Sequence, residues 1–340
     1  MDFPNNNKTF IIAELSANHG QKIEIAIETI RAAKRAGADA IKLQTYTAET
    51  MTIDCNNKYF KDVLKGSIWE GRTLYDLYKE AYTPWEWHKE LFRVAKEEGL
   101  ICFSTPFDKS AVDFLEELNN PIYKIASFEI TDIPLIEYAA SKGKPLIIST
   151  GVADEEDIQL AVETCRKVGN NQITLLKCTS QYPATIEQAN LFTIPDMKQR
   201  FGVEVGVSDH TIGSFVPIVA VSLGARVVEK HFILDRNLGG PDSSFSMEPH
   251  EFKDMVEGVR RVEKSLGKIT YSVSEDDKNR RRSLFVINDI KAGEPFTDRN
   301  IRSIRPGFGL HPKYLNDIIG KTACCNILKG SPLKWEHINE

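Results

Sequence analysis

Two histidines stand at the ends of neighbouring apolar runs, Val203-Glu-Val-Gly-Val-Ser-Asp-His-Thr211 and Val227-Val-Glu-Lys-His-Phe-Ile-Leu-Asp235. Short β-branched runs bounded by glycine and polar turn residues read as strands buried on both faces. The period of two then puts Ser208 and His210 on one face with Asp209 turned away, and Val227, Glu229 and His231 on one face with Val228 and Lys230 turned away. Ser214 to Leu223 is long enough for a crossover helix, so the two strands run parallel and both histidines lie near their C-terminal ends. Two neutral imidazoles so placed are able to share a divalent ion and leave coordination positions open for water and substrate. Two unrelated histidines, one capping a loop and one bonded in a core, account for the same spacing, because two ligands without a third define no geometry.

Polar residues collect at the ends of the other apolar runs as well. Glu14, Asn18 and His19 follow the first; Lys42 and Gln44 end the second on one face; Thr105 follows the third; Lys124 and Ser127 the fourth. Ser149 and Thr150 follow the fifth, and Ser180 and Tyr182 the sixth. Taken singly, a Ser or Thr after a strand is usually a turn residue or helix cap, and Lys42 could be a solvated end. Lys42 and Lys124 both sit inside apolar strands, where a lysine is costly unless an anion meets it. Two lysines and several hydroxyls at one mouth point to a phosphate and a carboxylate.

The elements that must position these residues alternate regularly. Strands are expected at residues 10–13, 40–44, 100–103, 122–125, 145–148 and 173–176, ahead of the two histidine strands. Helices are expected at residues 23–36, 85–98, 109–118, 133–141, 155–168, 191–200, 214–223 and 251–266. Eight strand–helix pairs in about 260 residues match a closed (β/α)8 TIM barrel, whose active sites lie at the C-terminal ends of the strands. The alternative, an open doubly wound sheet, lacks the G-x-G-x-x-G turn after its first strand. Residues 45–83, with Trp69, Tyr75 and Tyr78, interrupt the rhythm as a long insertion, which suggests a functional lid or arm. The division reads as a barrel at 1–268, a polar linker at 269–282 and a small unit at 283–340 rich in Gly, Pro and short apolar runs. Such a unit has a small core and is expected to pack against the barrel or a partner.

With 41% hydrophobic and 27% charged residues the 340-residue chain has the composition of a water-soluble protein with one large and one small domain. The net charge of −5 and the scattered Lys and Arg give no support for nucleic-acid binding. No apolar run reaches membrane-spanning length and residues 1–8 are polar, so a cytoplasmic protein is expected. Cys55, Cys102, Cys165, Cys178, Cys324 and Cys325 show no C-x-x-C spacing and read as buried reduced thiols.

Eight motifs at the strand ends, taken together, resemble the sialic acid synthase family and within it most closely the pseudaminic acid synthase branch. They are Ile12-Ala-Glu-Leu-Ser-Ala-Asn-His-Gly20, Ile41-Lys-Leu-Gln-Thr45, Phe103-Ser-Thr-Pro-Phe107, Tyr123-Lys-Ile-Ala-Ser-Phe-Glu129, Ile148-Ser-Thr-Gly151, Lys177-Cys-Thr-Ser-Gln-Tyr-Pro183, Val207-Ser-Asp-His-Thr211 and Glu229-Lys-His-Phe232. Gly240-Pro-Asp-Ser-Ser-Phe-Ser246 follows, and residues 283–340, with Arg305-Pro-Gly307, look like the family's antifreeze-like (SAF) domain. The resemblance implies condensation of phosphoenolpyruvate with an amino-sugar aldehyde to a nine-carbon 2-keto acid and phosphate. It implies that Lys42, Thr105, Lys124, Ser127, Ser149, Ser180 and Ser208 hold the carboxylate and phosphate, and that His210 and His231 hold the metal. Glu14, Gln44, Tyr182, Glu229 and Asp242 then face the sugar, with Glu14 or Glu229 moving protons. Arg305 joins them from the small domain, usually that of a partner in a swapped homodimer. The ion is expected to be Mn²⁺-like, with Mg²⁺ or Co²⁺ as alternatives. Ser180, where sialic acid synthases generally carry Asn, and the stretches after Gly240 and Arg305 favour a 6-deoxy diacetamido altrose over N-acetylmannosamine. A Schiff-base aldolase using Lys42 or Lys124, and a non-catalytic sugar-binding protein, are the competing readings from other classes.

Overall fold

The computed structural model describes residues 8–61 and 64–339. The polar stretch at 1–7 and two residues of the 45–83 insertion lie outside the described residues. Eight parallel strands close on themselves in sequence order, β1 Phe10–Glu14, β2 Ala40–Thr45, β3 Ile101–Pro106, β4 Tyr123–Ile125, β5 Leu146–Ser149, β6 Ile173–Cys178, β7 Glu204–Asp209 and β8 Val227–His231. The expected TIM barrel is the observed one.

Eight helices return the chain between strands. Helix Ile23–Arg35 follows β1, Trp85–Glu97 follows β2, and Lys109–Glu117, Ile133–Ala140, Glu155–Lys167, Thr193–Phe201, Phe215–Ser222 and Pro249–Leu266 follow the remaining six. Their starts are chemically marked: the Asp108, Asp132 and Asp154 side chains accept the backbone N–H groups of Ala111, Leu135 and Asp157. Apolar stripes on these helices and the outward faces of the strands form the main core.

A second, smaller core fills the barrel interior: Ile12, Ala40, Phe103, Ile122, Ile147, Leu176 and Val227. It is a plug rather than a pore, and it leaves the C-terminal ends of the strands as the place where polar side chains converge. At Gly206 a Cβ would stand 2.4 Å from the Val227 carbonyl oxygen and 2.7 Å from Leu176 Cδ2. Only glycine lets β7 close so tightly on β8.

The third strand runs further than the expected 100–103, through Ser104, Thr105 and Pro106. Register explains the extension, since Lys42, Leu43, Gln44 and Thr45 of β2 pair with Phe103, Ser104, Thr105 and Pro106. The Thr45 and Ser104 hydroxyls meet at 2.7 Å, so polar residues continue the strand by bonding each other. The 45–83 insertion is not a bare loop, for it carries short helices at Ala48–Met51, Lys58–Lys61 and Leu74–Ala81.

The chain divides into two compact units after Gly267. In the second unit, β9 Ser283–Val286 and β10 Ile301–Ile304 pair antiparallel, over a core of Leu284, Val286, Ile290, Phe296, Ile301, Ile318, Ala323, Ile327 and Leu333. A short helix, Glu275–Asn279, stands within the stretch read as a linker. Among the described residues no helix is long and apolar enough to cross a membrane.

Candidate active site at the barrel mouth

In-register pairing places Glu14 beside Lys42 and His231, and Ser208 beside Glu229. Lys42 Nζ stands 2.7 Å from Glu14 Oε2, a buried ion pair. The same ammonium donates to Thr105 Oγ1 at 3.2 Å. Lys124 Nζ donates to Ser149 Oγ at 2.6 Å and to the Ile125 carbonyl at 3.1 Å. Both lysines converge on Glu229 Oε1, at 3.7 and 3.9 Å, and Ser208 Oγ donates to that oxygen at 3.0 Å. The anions that offset the buried lysines are therefore the protein's own carboxylates.

These neighbours separate the two carboxylates. Burial lifts the Glu14 carboxyl to about 7 against the pull of Lys42. Burial pushes Glu229 up too, but Lys124 and Lys42 outweigh it and leave Glu229 below its ordinary value. Glu14 is thus poised to exchange a proton near neutrality, whereas Glu229 stays anionic. Burial lowers Lys124; it also opposes the charge on Lys42, but there Glu14 and Glu229 prevail and hold the ammonium above its usual range.

Around this cluster, hydroxyls line β4 to β6. The Gly151 N–H donates to Ser127 Oγ at 3.1 Å. A Cβ on Gly151 would lie 2.2 Å from Ser180 Oγ and 2.9 Å from Ser127 Oγ, so a glycine is required for these two serines to approach.

The histidine rings meet edge-on, centroids 5.3 Å apart and planes inclined at 61°. His210 Nδ1 lies 2.9 Å from the Thr179 carbonyl, which can only accept. Nδ1 therefore carries a proton. Burial opposes a second one, but Cys178 and the Thr179 carbonyl outweigh it and hold the ring above the ordinary histidine value, so Nε2 offers its lone pair once the ring is neutral. His231, its side chain 11% exposed, has a buried Nδ1 with no hydrogen-bond partner and stands 3.7 Å from Asp242 Oδ2. Burial first, and then His210, hold its imidazole neutral, well below the ordinary histidine value. Two unprotonated ring nitrogens could hold a divalent ion between them. Among the described residues no set of three or more His, Cys, Asp or Glu converges for a metal, so water or substrate oxygens would complete the shell.

On the β1–β2 side, Gln44 Nε2 donates to Glu14 Oε1 and to Ser16 Oγ, each at 3.0 Å, and Ser16 Oγ donates to Asp242. The Tyr182 ring lies tilted against His210, centroids 4.4 Å apart, and packs at 5.2 Å on Phe245. The insertion reaches this wall: the Trp69 ring lies 5.5 Å from Tyr182, and its Nε1–H donates to the Pro241 carbonyl at 2.9 Å.

Fourteen expected site residues, Glu14, Lys42, Gln44, Thr105, Lys124, Ser127, Ser149, Ser180, Tyr182, Ser208, His210, Glu229, His231 and Asp242, lie at this one mouth. Arg305 is exposed just after β10 in the second unit. Asn18, His19 and Thr150 take bland roles instead. Asn18 Nδ2 donates to the Phe232 carbonyl and Ser246 Oγ, His19 pairs with Gln21 N–H and Thr83, and Thr150 Oγ1 donates to the Leu176 carbonyl.

Some contributors were missed. The expectation of buried thiols holds for Cys102, Cys165 and Cys178 but fails for Cys324 and Cys325, which are exposed, and for Cys55, which is half-buried. The adjacent pair falls in a bend that small side chains tolerate at the surface. Cys178 is no mere filler, since its Sγ lies 3.9 Å from both His210 Nδ1 and Ser180 Oγ. Its position two residues before Ser180 could have revealed it. Glu129 was missed as well; its Oε2 is buried without a donor and burial lifts its carboxyl to about 7. An open cleft of about 450 Å³ at the opposite rim, lined by Pro145, Gln172, Lys198 and Glu204 among others, gathers none of these residues.

The NeuB family profile matches residues 29–271, and the SAF domain profile matches residues 281–339. The chain is 47% identical over 336 residues to pseudaminic acid synthase of Campylobacter jejuni, covering 98% of this chain and 97% of that one. To pseudaminic acid synthase of Helicobacter pylori it is 47% identical over 332 residues, 96% and 97% of the two chains. Among solved structures, the N-acetylneuraminic acid (sialic acid) synthetase of Leptospira borgpetersenii matches with a TM-score of 0.72 at 33% identity, covering 81% of this chain and 90% of that one.

Proposed function

The chain belongs to the NeuB family, and from that premise we propose that it acts as a pseudaminic acid synthase. It is a C–C bond-forming transferase that condenses phosphoenolpyruvate with 2,4-diacetamido-2,4,6-trideoxy-altropyranose, in its open aldehyde form, to the nine-carbon 2-keto sugar acid and phosphate. The observation that carries the reading is the pair of buried ammonium groups, Lys42 and Lys124, set among the Thr105, Ser127, Ser149, Ser180 and Ser208 hydroxyls at one mouth. The 47% identity to enzymes bearing that name supports the choice of branch.

In this reading Lys42 and Lys124 grip the carboxylate and phosphate, and the hydroxyls fix their orientation. The enol carbon of phosphoenolpyruvate attacks the aldehyde carbon, one C–C bond forms, and the cation left at C2 takes up water. The resulting tetrahedral phosphate ester expels phosphate and leaves the keto group. Glu14, with its carboxyl near neutrality, holds or releases the proton beside Lys42, while anionic Glu229 keeps the two ammonium groups in place. Gln44, Tyr182 and Asp242 line the sugar's side. His210 and His231 would hold a divalent ion, best Mn²⁺ with Mg²⁺ or Co²⁺ as substitutes, which when bound polarises the aldehyde oxygen and stabilises its developing negative charge. The enzyme works in the cytoplasm as a domain-swapped homodimer, the exposed Arg305 of each small domain serving the sugar of the other subunit.

A phosphate-release assay with phosphoenolpyruvate and a panel of amino sugars tests this. Release is expected with the diacetamido altrose. Release with N-acetylmannosamine or a legionaminic precursor alone would move the chain to another branch, and sugar binding without release would leave a non-catalytic binding protein. Borohydride trapping of a lysine adduct would instead indicate an aldolase.

A further inference from the structure

Strands β7 and β8 lie in register, Ser208 opposite Glu229 and Asp209 opposite Lys230. Alternation turns Ser208 and Glu229 into the mouth and sends Asp209 and Lys230 out behind the strands. Lys230 is nonetheless 1% exposed and Asp209 4%. There they form a closed knot with Thr211. The Asp209 carboxylate accepts from the Thr211 N–H and Thr211 Oγ1–H, each at 3.0 Å, and from Lys230 Nζ, which also donates to the Thr211 carbonyl.

A buried ion pair is a poor device for stability alone, because desolvating both charges offsets their attraction and a well-packed apolar pair often does as well. Connectivity gives the knot another use. Residues 209 and 211 flank His210, and residue 230 precedes His231. The two Asp209–Thr211 bonds close the chain around His210, and the two Lys230 bonds tie the backbone on both sides of that imidazole to the backbone that carries the other. His210 has a further anchor in the Thr179 carbonyl. His231 Nδ1 has none, so its ring takes its place from β8 and from packing against Phe245 and Tyr182, with centroids at 4.9 and 6.4 Å. An imidazole without a hydrogen-bonded neighbour depends most on the strand that holds it.

We propose that Asp209, Thr211 and Lys230 are positioning residues, a knot behind the barrel wall that sets the separation of His210 and His231 and thereby the affinity of the pair for a divalent cation. The proposal rests on the reading of those histidines as metal ligands.

The test uses the full chain and reads metal binding directly, by the electron paramagnetic resonance signal of free Mn²⁺ and the visible absorption of bound Co²⁺. The double variant Asp209→Leu/Lys230→Met removes both charges together but leaves the buried Thr211 N–H, hydroxyl and carbonyl without these partners, so it is expected to fold with a thermal midpoint lowered by several degrees. Its Mn²⁺ dissociation constant is expected to rise by about 10- to 100-fold, the usual loss when an orienting group behind a ligand is removed, and its Co²⁺ bands to shift. A folded double variant whose Mn²⁺ affinity stays within about threefold of the parent would overturn the proposal and leave the knot a packing element. Should that variant fail to fold, Asp209→Asn keeps the shape and the Thr211 contacts while weakening the Lys230 bond, and the same threefold limit decides. An unmodified chain that binds no Mn²⁺ would instead sink the ligand reading itself, an outcome seen before any substitution is made.

Discussion

Glu14 and Lys42 stand opposite each other on β1 and β2, both nearly inaccessible, with 2.7 Å between Oε2 and Nζ. Because the carboxyl sits near 7 even so, its protonation is balanced between desolvation and the ammonium. Glu14→Gln keeps the volume and the bond from Gln44 but removes the titration. We expect kcat to fall by roughly 10²-fold or more, with the limb of the pH–rate profile nearest neutrality flattened. A profile of unchanged shape would assign that limb to another group.

Gly151→Ala places a methyl carbon where Ser180 Oγ and Ser127 Oγ now meet. The serines must part, so the KM for phosphoenolpyruvate is expected to rise about tenfold or more with little change in the sugar KM. Equal changes in both would show that these hydroxyls do not serve the phosphate.

Trp69 couples the insertion to the mouth through its bond to Pro241 and its contact with Tyr182. Trp69→Ala is expected to raise the sugar KM several-fold while phosphoenolpyruvate affinity stays within about twofold. Titration calorimetry with each substrate separates the two effects.

Arg305 supports a test of the proposed homodimer. Arg305→Ala should weaken sugar use without altering phosphoenolpyruvate binding, and mixing it with a barrel-dead Lys124→Met variant should restore sites built from one intact barrel and one intact small domain. Absence of such complementation in exchanged dimers argues for a small domain acting within its own chain.

Acid should unfold the barrel through two buried neutral histidines, His19 and His88. His88 lies in a chain in which Ser104 donates to Thr45 and Thr45 to Nε2, with Nδ1 facing the Pro84 carbonyl. Burial lowers both His19 and His88 from 6.5 to about 4. Between those values the unfolded chain binds a proton that the folded chain refuses. Stability is therefore complete above about pH 6.5 and is lost as pH falls toward 4, by up to roughly 3 kcal/mol for each histidine at about 1.4 kcal/mol per pH unit. In urea melts His88→Gln should be less stable at pH 7, yet its stability should decline less steeply between pH 6.5 and 4.5.

Much of this was legible in the residues alone because a parallel barrel has a local rule. Each strand is a short apolar run, its side chains alternate, and its C-terminal end points to the mouth; Lys42, Lys124, His210 and His231 could therefore be assigned to one rim from spacing. What escaped that rule were choices made between strands. Whether a polar end residue faces substrate or is consumed at home depends on the neighbours that register brings: Asn18 was claimed by Ser246, and His19 by Thr83. Cys178 is the buried thiol expected, but only the pairing of β6 with β7, Cys178 opposite Ser208, puts it beside His210.

The sequence by itself determined the barrel, the rim and the residue types gathered there, since these follow from periodicities of two and 3.6 along a single chain. Only the tertiary structure decided how the charges are shared. Glu229 lies between two lysines while Glu14 meets one, and the difference between a carboxylate that stays ionised and one held near neutrality is set by distances of 2.7 to 3.9 Å across strands that the linear chain keeps far apart.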